Sequence, residues 1–220
     1  MKTAIVTGAN RGIGLEFCKQ LKLKDYHVIA TCRNTNAELE NLGIQVESGI
    51  DVTDEDSLFK LSHTLKNIKL DLMINNAGVM TSESIDNLDL EAIRKQIEIN
   101  TIAPLSFVKT LLHLLNNPAK LILVTSRMGS ISDNTSGGYY GYRMSKAALN
   151  IAGVSLANDL KDRNIAVGIF HPGFVKTELT GNQGDMTANE SVEHMLNRLE
   201  ELNLDNSGTF VHAKGDSLAW

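Results

Sequence analysis

Residues 3–14 read Thr3-Ala4-Ile5-Val6-Thr7-Gly8-Ala9-Asn10-Arg11-Gly12-Ile13-Gly14 and lead into a helix-like segment from Ile13 to about Lys24. A short run that is apolar throughout reads as a strand covered on both faces. Glycine permits the tight turn that follows and lets backbone come close to a pyrophosphate, while a helix N-terminus supplies unpaired N–H groups and positive dipole. The spacing is G-x-x-x-G-x-G rather than the commoner G-x-G-x-x-G. A purely structural strand-to-helix turn would also use these glycines. Their place at the first strand–helix junction is where a nucleotide fingerprint belongs.

The same alternation continues outward. Short apolar runs at Val28-Ile29-Ala30, Val46–Ile50, Leu70–Ile74, Leu121–Val124, Ile165–Phe170 and Thr209–His212 read as strands. Between them lie helix-like stretches at Asp54–Asn67, Leu88–Leu115, Tyr142–Asp162 and Ala188–Leu202. Buried strands separated by helices imply right-handed crossovers and a parallel sheet. The expectation is therefore α/β: residues 1–220 as a single doubly wound, Rossmann-type domain with about seven strands.

Composition narrows the function classes. The 220 residues are 42% hydrophobic and 21% charged, close to an ordinary globular protein, with a formal net charge of −5 that gives no footprint for nucleic acid or an anionic membrane. The two cysteines, Cys18 and Cys32, are too few for a disulfide framework and lack metal-ligand spacing, so no metal is expected. Ala4-Ile5-Val6 is cut short before it makes a secretory signal, and no apolar stretch approaches the ~20 residues of a membrane span. A cytoplasmic location is expected.

A nicotinamide-binding sheet usually places an acid at the end of its second strand to hold the ribose 2′-OH. Here the second strand ends Thr31-Cys32-Arg33, with no acid. Arg33, with Arg11 in the glycine turn, would favour a 2′-phosphate, hence NADP (NADPH) over NAD. Both arginines also suit a solvated surface. Further on, Tyr142 and Lys146 are four apart and share a helix face. A close ammonium would favour the phenolate and bring a phenol toward a useful catalytic range.

Thr7-Gly8-x-x-x-Gly12-Ile13-Gly14, Asn75-Asn76-Ala77-Gly78, Asn100, Ser126, Tyr142-x-x-x-Lys146 and Pro172-Gly173 occur in an order that resembles the classical short-chain dehydrogenase/reductases. The likeness spans residues 3 to about 177. The stretch Gly137 to Asn150 and Trp220 most resemble the sniffer and C-factor group of carbonyl reductases. The resemblance implies that Gly8, Arg11 and Ile13 line the pyrophosphate and ribose, that Arg33 meets the 2′-phosphate, and that Asp51 and Val52 touch the adenine. Asn76, Ala77 and Gly78 would flank the cofactor ribose, and Val175 and Thr177 would hold the carboxamide. It makes Tyr142 the proton donor in reduction and has Ser126 bind the substrate carbonyl. Lys146 would hold the nicotinamide ribose and assist Tyr142, with Asn100 completing the relay.

Several of these residues have plainer readings. Asp51 suits a cap on the helix near Asp54, Asn75 and Asn76 suit a turn, and Ser126 suits a strand end. His171, ahead of Pro172, reads as structural. Pro104 lacks an N–H and crowds the carbonyl four residues back, Asn100, which either frees that carbonyl for a water or merely kinks the helix. Ser126 and Tyr142 are 16 apart, so the glycine-rich loop Gly129–Gly138 must fold back for them to meet. The substrate loop near 178–188 is short and polar, implying an open pocket, and Met80, Met128, Phe174 and Met186 suit an apolar substrate.

The expected function is an oxidoreductase transferring hydride between NADP(H) and a small-molecule carbonyl or alcohol. The alternatives are a cofactor-binding intercellular signalling or scaffold protein with little turnover, and an epimerase or dehydratase that shows no net redox change. A homodimer or homotetramer is the expected assembly, helped by the nearly continuous Leu111, Leu112, Leu114 and Leu115.

Overall fold

In the computed structural model, which describes residues 1–220, seven strands form one sheet in the order β3-β2-β1-β4-β5-β6-β7. They are β1 (Thr3–Thr7), β2 (His27–Cys32), β3 (Gln45–Ser48), β4 (Leu70–Asn75), β5 (Leu115–Val124), β6 (Ile165–His171) and β7 (Phe210–His212). Every neighbouring pair is parallel. Strand order reverses between β1 and β4, the switch point at whose carboxyl edge such sheets bind ligands.

The apolar runs are continuous because alternate residues enter two different cores. Ala4 and Val6 face one layer and Ile5 the other, as do Val28 and Ala30 against Ile29. The first layer is closed by α1 (Gly12–Leu23), a one-turn helix α2 (Ala37–Glu40) and α7 (Ala188–Glu201), through Phe17, Leu21, Leu39, Met195 and Leu196. The second is closed by α3 (Glu55–Thr64), α5 (Ala103–Leu111) and α6 (Tyr140–Asp159), through Leu58, Leu61, Phe107, Leu111 and Leu149. Cys18 and Cys32 are free and buried, and no helix is long and apolar enough to cross a membrane.

The structure departs from the sequence reading in four places. Leu88–Leu115 is not one helix: α4 (Leu90–Ile97) passes through a π-helical turn at Glu98–Ile102 into α5, with Pro104 in the first turn of α5. Strand β5 begins at Leu115 rather than Leu121: Leu115 pairs with Leu70 of β4 and residues 119–124 pair with β6, with a register shift where Asn116-Asn117-Pro118 lie. Leu111, Leu114 and Leu115 are consequently core residues around that junction, and no partner chain is needed to explain them. Finally, Asp54 rather than Asp51 caps α3, its carboxylate accepting from the Asp56 N–H.

Candidate active site

A cleft of about 870 Å³ opens at the carboxyl edge of the sheet over the switch point. Its walls include Gly8, Arg11, Ile13, Arg33, Asp51, Val52, Asn76, Ala77, Gly78, Tyr142, Lys146 and Thr177. Val175 is the exception among the expected nucleotide contacts: its side chain is buried and absent from the lining, and its carbonyl accepts from the Thr180 hydroxyl at 2.8 Å. A larger cleft of about 1050 Å³ near Lys2, Tyr26 and Lys120 contains none of these residues.

The glycine turn is built to leave backbone exposed. A Cβ on Gly14 would lie 2.2 Å from the Gly8 carbonyl oxygen and 2.6 Å from Asn76 Nδ2, so only glycine lets α1 start this close to the end of β1. Thr7 and Asn76 lock the turn to β4. The Thr7 hydroxyl accepts from the N–H groups of Asn76 (3.0 Å) and Ala77 (3.1 Å), and Asn76 Nδ2 donates to the Thr7 carbonyl at 3.0 Å. The Asn76 amide is therefore a brace for the turn, while Asn75 is buried in β4.

At the nucleotide end, Arg33 forms no ion pair and faces the cleft, whereas Arg11 is paired with Glu178. Asp51 forms a turn with Thr53, whose N–H and hydroxyl both donate to its carboxylate (2.9 and 2.8 Å). These bonds, more than the Arg33 charge, hold its pKa below the usual carboxylate range. An open backbone turn, a helix N-terminus and an unpaired arginine at the far end fit a dinucleotide carrying phosphates.

At the other end Tyr142 and Lys146 line the cleft, while the other two expected catalytic residues, Asn100 and Ser126, are buried and outside its lining. Gly129 sits against the Lys146 backbone, where a Cβ would be 2.7 Å from the Lys146 carbonyl carbon. That close approach folds the loop after β5 back onto α6 and brings Ser126 to Tyr142. The Ser126 oxygen accepts from the Met128 N–H at 3.1 Å, leaving its own hydrogen free to donate. Burial pushes the Tyr142 phenol up from 10, and the nearby Ser126 hydroxyl pulls it part of the way back. The ammonium effect expected from the sequence does not prevail. Lys146 Nζ donates to the Val124 carbonyl at 3.0 Å and lies 5.7 Å from the centre of the Tyr142 ring, and burial lowers its own pKa from 10.5 to about 8.

The π-helical turn explains how Asn100 arrives. Widening the helix lets the adjacent Asn100 and Thr101 both reach α6 at one residue: Asn100 Nδ2 donates to Ser145 Oγ at 3.0 Å and the Thr101 hydroxyl to the Ser145 carbonyl at 2.8 Å. Asn100 also clamps the Val79 backbone, accepting from its N–H and donating to its carbonyl, both at 2.8 Å. A Cβ on Gly78 would lie 3.2 Å from Asn100 Oδ1 and 3.7 Å from Lys146 Nζ, so the two side chains converge around Gly78.

Sequence reasoning missed one supporting cluster. Tyr139, preceding α6, has a left-handed backbone (φ 50°) and makes no side-chain cap. The buried Glu83 fills that place from a distant loop, accepting from the Gly141 N–H at 3.3 Å through its carboxylate and from the Tyr139 N–H at 2.8 Å through its backbone carbonyl. Gln96 Nε2 donates to Glu83 at 2.8 Å and to the Thr81 hydroxyl at 2.7 Å. No local signal marks a polar loop acid as buried. Two other expectations also meet the structure here. Met186 is buried, bridged to Val175 and packed on Gly173, so it does not line a substrate pocket. His171 packs edge-on against His212, its ring centre 5.1 Å away, as a structural histidine.

Comparison with known proteins agrees with this geometry. A short chain dehydrogenase family profile matches residues 2–188. The chain is 41% identical over 226 residues to the 1-hydroxy-2-glutathionyl-2-methyl-3-butene dehydrogenase of Rhodococcus sp. (strain AD45), covering 100% of both chains. Its fold superposes on the carbonyl reductase Sniffer of D. melanogaster with a TM-score of 0.93 at 32% identity, covering 100% of both. A second solved structure, NADPH-bound carbonyl reductase from chicken fatty liver, gives 0.91 at 33% identity, covering 100% of this chain and 99% of the other. The order of the sheet, the glycine turn over its switch point and the extent of these matches make the chain an oxidoreductase of the short-chain dehydrogenase/reductase family.

Proposed function

We propose that this protein uses NADP(H) to reduce a small-molecule carbonyl, or to oxidise the corresponding alcohol, with Asn100, Ser126, Tyr142 and Lys146 as its catalytic residues. The observation that carries the reading is the meeting of Ser126, Tyr142 and Lys146 at the edge of the cleft that also holds the glycine turn. The NADPH-bound relative supports the cofactor, and the unpaired Arg33 supports the 2′-phosphate form.

When bound, the nicotinamide would supply or accept hydride at the carbonyl carbon. The chain's own residues do the rest. A buried phenol raised above 10 stays protonated at neutral pH, which suits Tyr142 to give its proton to a carbonyl oxygen. The free Ser126 hydrogen would donate to the same oxygen as charge grows on it. Lys146, poised near 8, would return a proton to Tyr142, and Asn100 would keep the Val79 backbone and Ser145 in register around it. Gly8, Arg11, Ile13, Arg33, Asp51, Val52, Asn76, Ala77, Gly78 and Thr177 would hold the dinucleotide, without Val175.

The short 178–188 segment would leave the substrate side open, where Phe174 is exposed and Met80 and Met128 are half-buried. That opening suits an apolar carbonyl compound. A two-fold assembly would cover Met144 and Ile151, both exposed on α6. The test is a fluorescence titration with NADPH and NADH, followed by a screen of aldehydes, ketones and glutathione-conjugated alcohols. Tyr142→Phe should retain NADPH binding and lose turnover by about 10²-fold or more. Failure of the wild-type protein to bind either nucleotide would refute the reading.

A further inference from the structure

Arg11 and Glu178 meet across the mouth of the cleft. Arg11 precedes α1 in the glycine turn, and Glu178 opens the 3₁₀ turn Glu178–Thr180 after β6, 167 residues later. Only Nη1 of the guanidinium makes the contact, at 2.5 Å, and both side chains remain about two-thirds exposed, at 64% and 66%. Below them Gly12 packs against Thr177, where a Cβ on the glycine would lie 3.4 Å from Thr177 Cγ2, so the two walls already touch. Arg11 is therefore held by an acid of this chain, while Arg33, also exposed and lining the cleft, forms no ion pair.

We propose that Glu178 is a specificity-determining residue that competes with the 2′-phosphate of NADPH for the Arg11 guanidinium. The inference rests on the cleft taking NADP(H). A phosphate offers arginine more charge and more acceptor oxygens than one carboxylate oxygen, and favours paired N–H donation. NADPH draws Arg11 away and leaves Glu178 to water, which its exposure makes inexpensive. NADH lacks that phosphate, so the ion pair stays closed beside it.

Release of Arg11 does not unfold the far wall, which is held by its own bonds. The Thr180 hydroxyl donates to the Val175 carbonyl at 2.8 Å, the Asn182 N–H donates to the Thr177 carbonyl at 2.7 Å, and the Lys176 N–H donates to the Met186 carbonyl at 3.0 Å. The Thr180 hydroxyl also accepts from the Thr177 N–H at 3.2 Å. Only the side chain of Glu178 exchanges partners. Glu178 thus tunes discrimination between the two nucleotides without a large movement of the loop.

The experiment is a double-mutant cycle read by fluorescence binding of NADPH and NADH to wild-type protein, Arg11→Gln, Glu178→Gln and the double variant. An exposed ion pair is weak, so Glu178→Gln is expected to tighten NADPH binding by about 2- to 5-fold and leave NADH binding unchanged. In the Arg11→Gln background the same substitution is expected to give no gain. Weaker binding of both nucleotides by Glu178→Gln would overturn the proposal, because the pair would then be a clasp over the cofactor. An equal gain with and without Arg11 would also overturn it, as general relief of negative charge. Wild-type protein that binds neither nucleotide would remove the cofactor reading itself; wild-type binding with no coupling removes only the role of Glu178.

Discussion

His171 makes the stability of this fold sensitive to mild acid. It ends β6, packs edge-on against His212, and its Nδ1 is buried without a hydrogen-bond partner. Burial, with His212 and Arg127 acting in the same direction and Asp133 opposing, lowers its pKa from 6.5 to about 3. A lowered histidine contributes stability above its unfolded pKa and loses it as pH falls from 6.5 toward 3, because the unfolded chain takes a proton that the folded one refuses. At pH 5 the penalty is about 1.5 pH units at ~1.4 kcal/mol each, hence about 2 kcal/mol. For a domain of this size that lowers Tm by about 4–8 °C between pH 7 and 5. The lowered carboxylates Asp51, Asp133, Glu190 and Glu200 titrate below this window, so their slopes do not enter it. His212, also lowered, contributes a smaller slope of the same sign. The assay is urea unfolding at pH 7 and 5 for wild-type protein, His171→Phe and His171→Asn. Both variants are expected to lose most of the acid sensitivity. Variants that lose as much stability between the two pH values as the wild-type protein would refute the reasoning.

Glu83→Gln removes the carboxylate from the start of α6, and about 1–2 kcal/mol of stability should go with it in thermal unfolding, together with turnover, because the first turn carries Tyr142. Lys146→Met should destroy turnover yet stabilise the protein at pH 7 by about 2 kcal/mol, measured by urea unfolding. The folded ammonium is disfavoured below about 8, and that penalty is relieved as pH rises from 8 to 10.5; the lost Val124 bond offsets part of the gain. Gly14→Ala forces a Cβ onto the Gly8 carbonyl and should cost more than about 2 kcal/mol in chemical denaturation, with loss of nucleotide binding.

The parts of this protein that are legible in its sequence are those set by local pattern. Double burial makes Ala4–Val6 and Val28–Ala30 apolar without alternation, which reads directly as central parallel strands. Glycines at a strand–helix junction and a Tyr142–Lys146 helical spacing are likewise local. What escapes depends on partners far along the chain. Glu83 looks like a loop acid until Gly141 and Gln96 surround it, and Arg11 looks like a free phosphate reader until Glu178 arrives from beyond β6. The start of β5 at Leu115 escapes for the same reason, since its partner Leu70 in β4 is distant in sequence. The four-residue spacing overstates the effect of Lys146 on Tyr142, because spacing reveals proximity but not burial, which here works against both charges.

The brace between Thr7 and Asn76 also has a consequence for how the chain acquires its site. Those residues are 69 positions apart, and the neighbouring tie from the Thr3 N–H to Asp71 spans 68. Ala9 and Asn10 tie the glycine turn to the end of β2, but its brace on the other side is missing until β4 has been made and has slotted beside β1. Loop closure over such distances is the slow part of folding, so the nucleotide pocket is a late product of assembly rather than a preformed seed. Nucleotide capture during refolding should therefore trail the appearance of secondary structure and report completion of the central sheet.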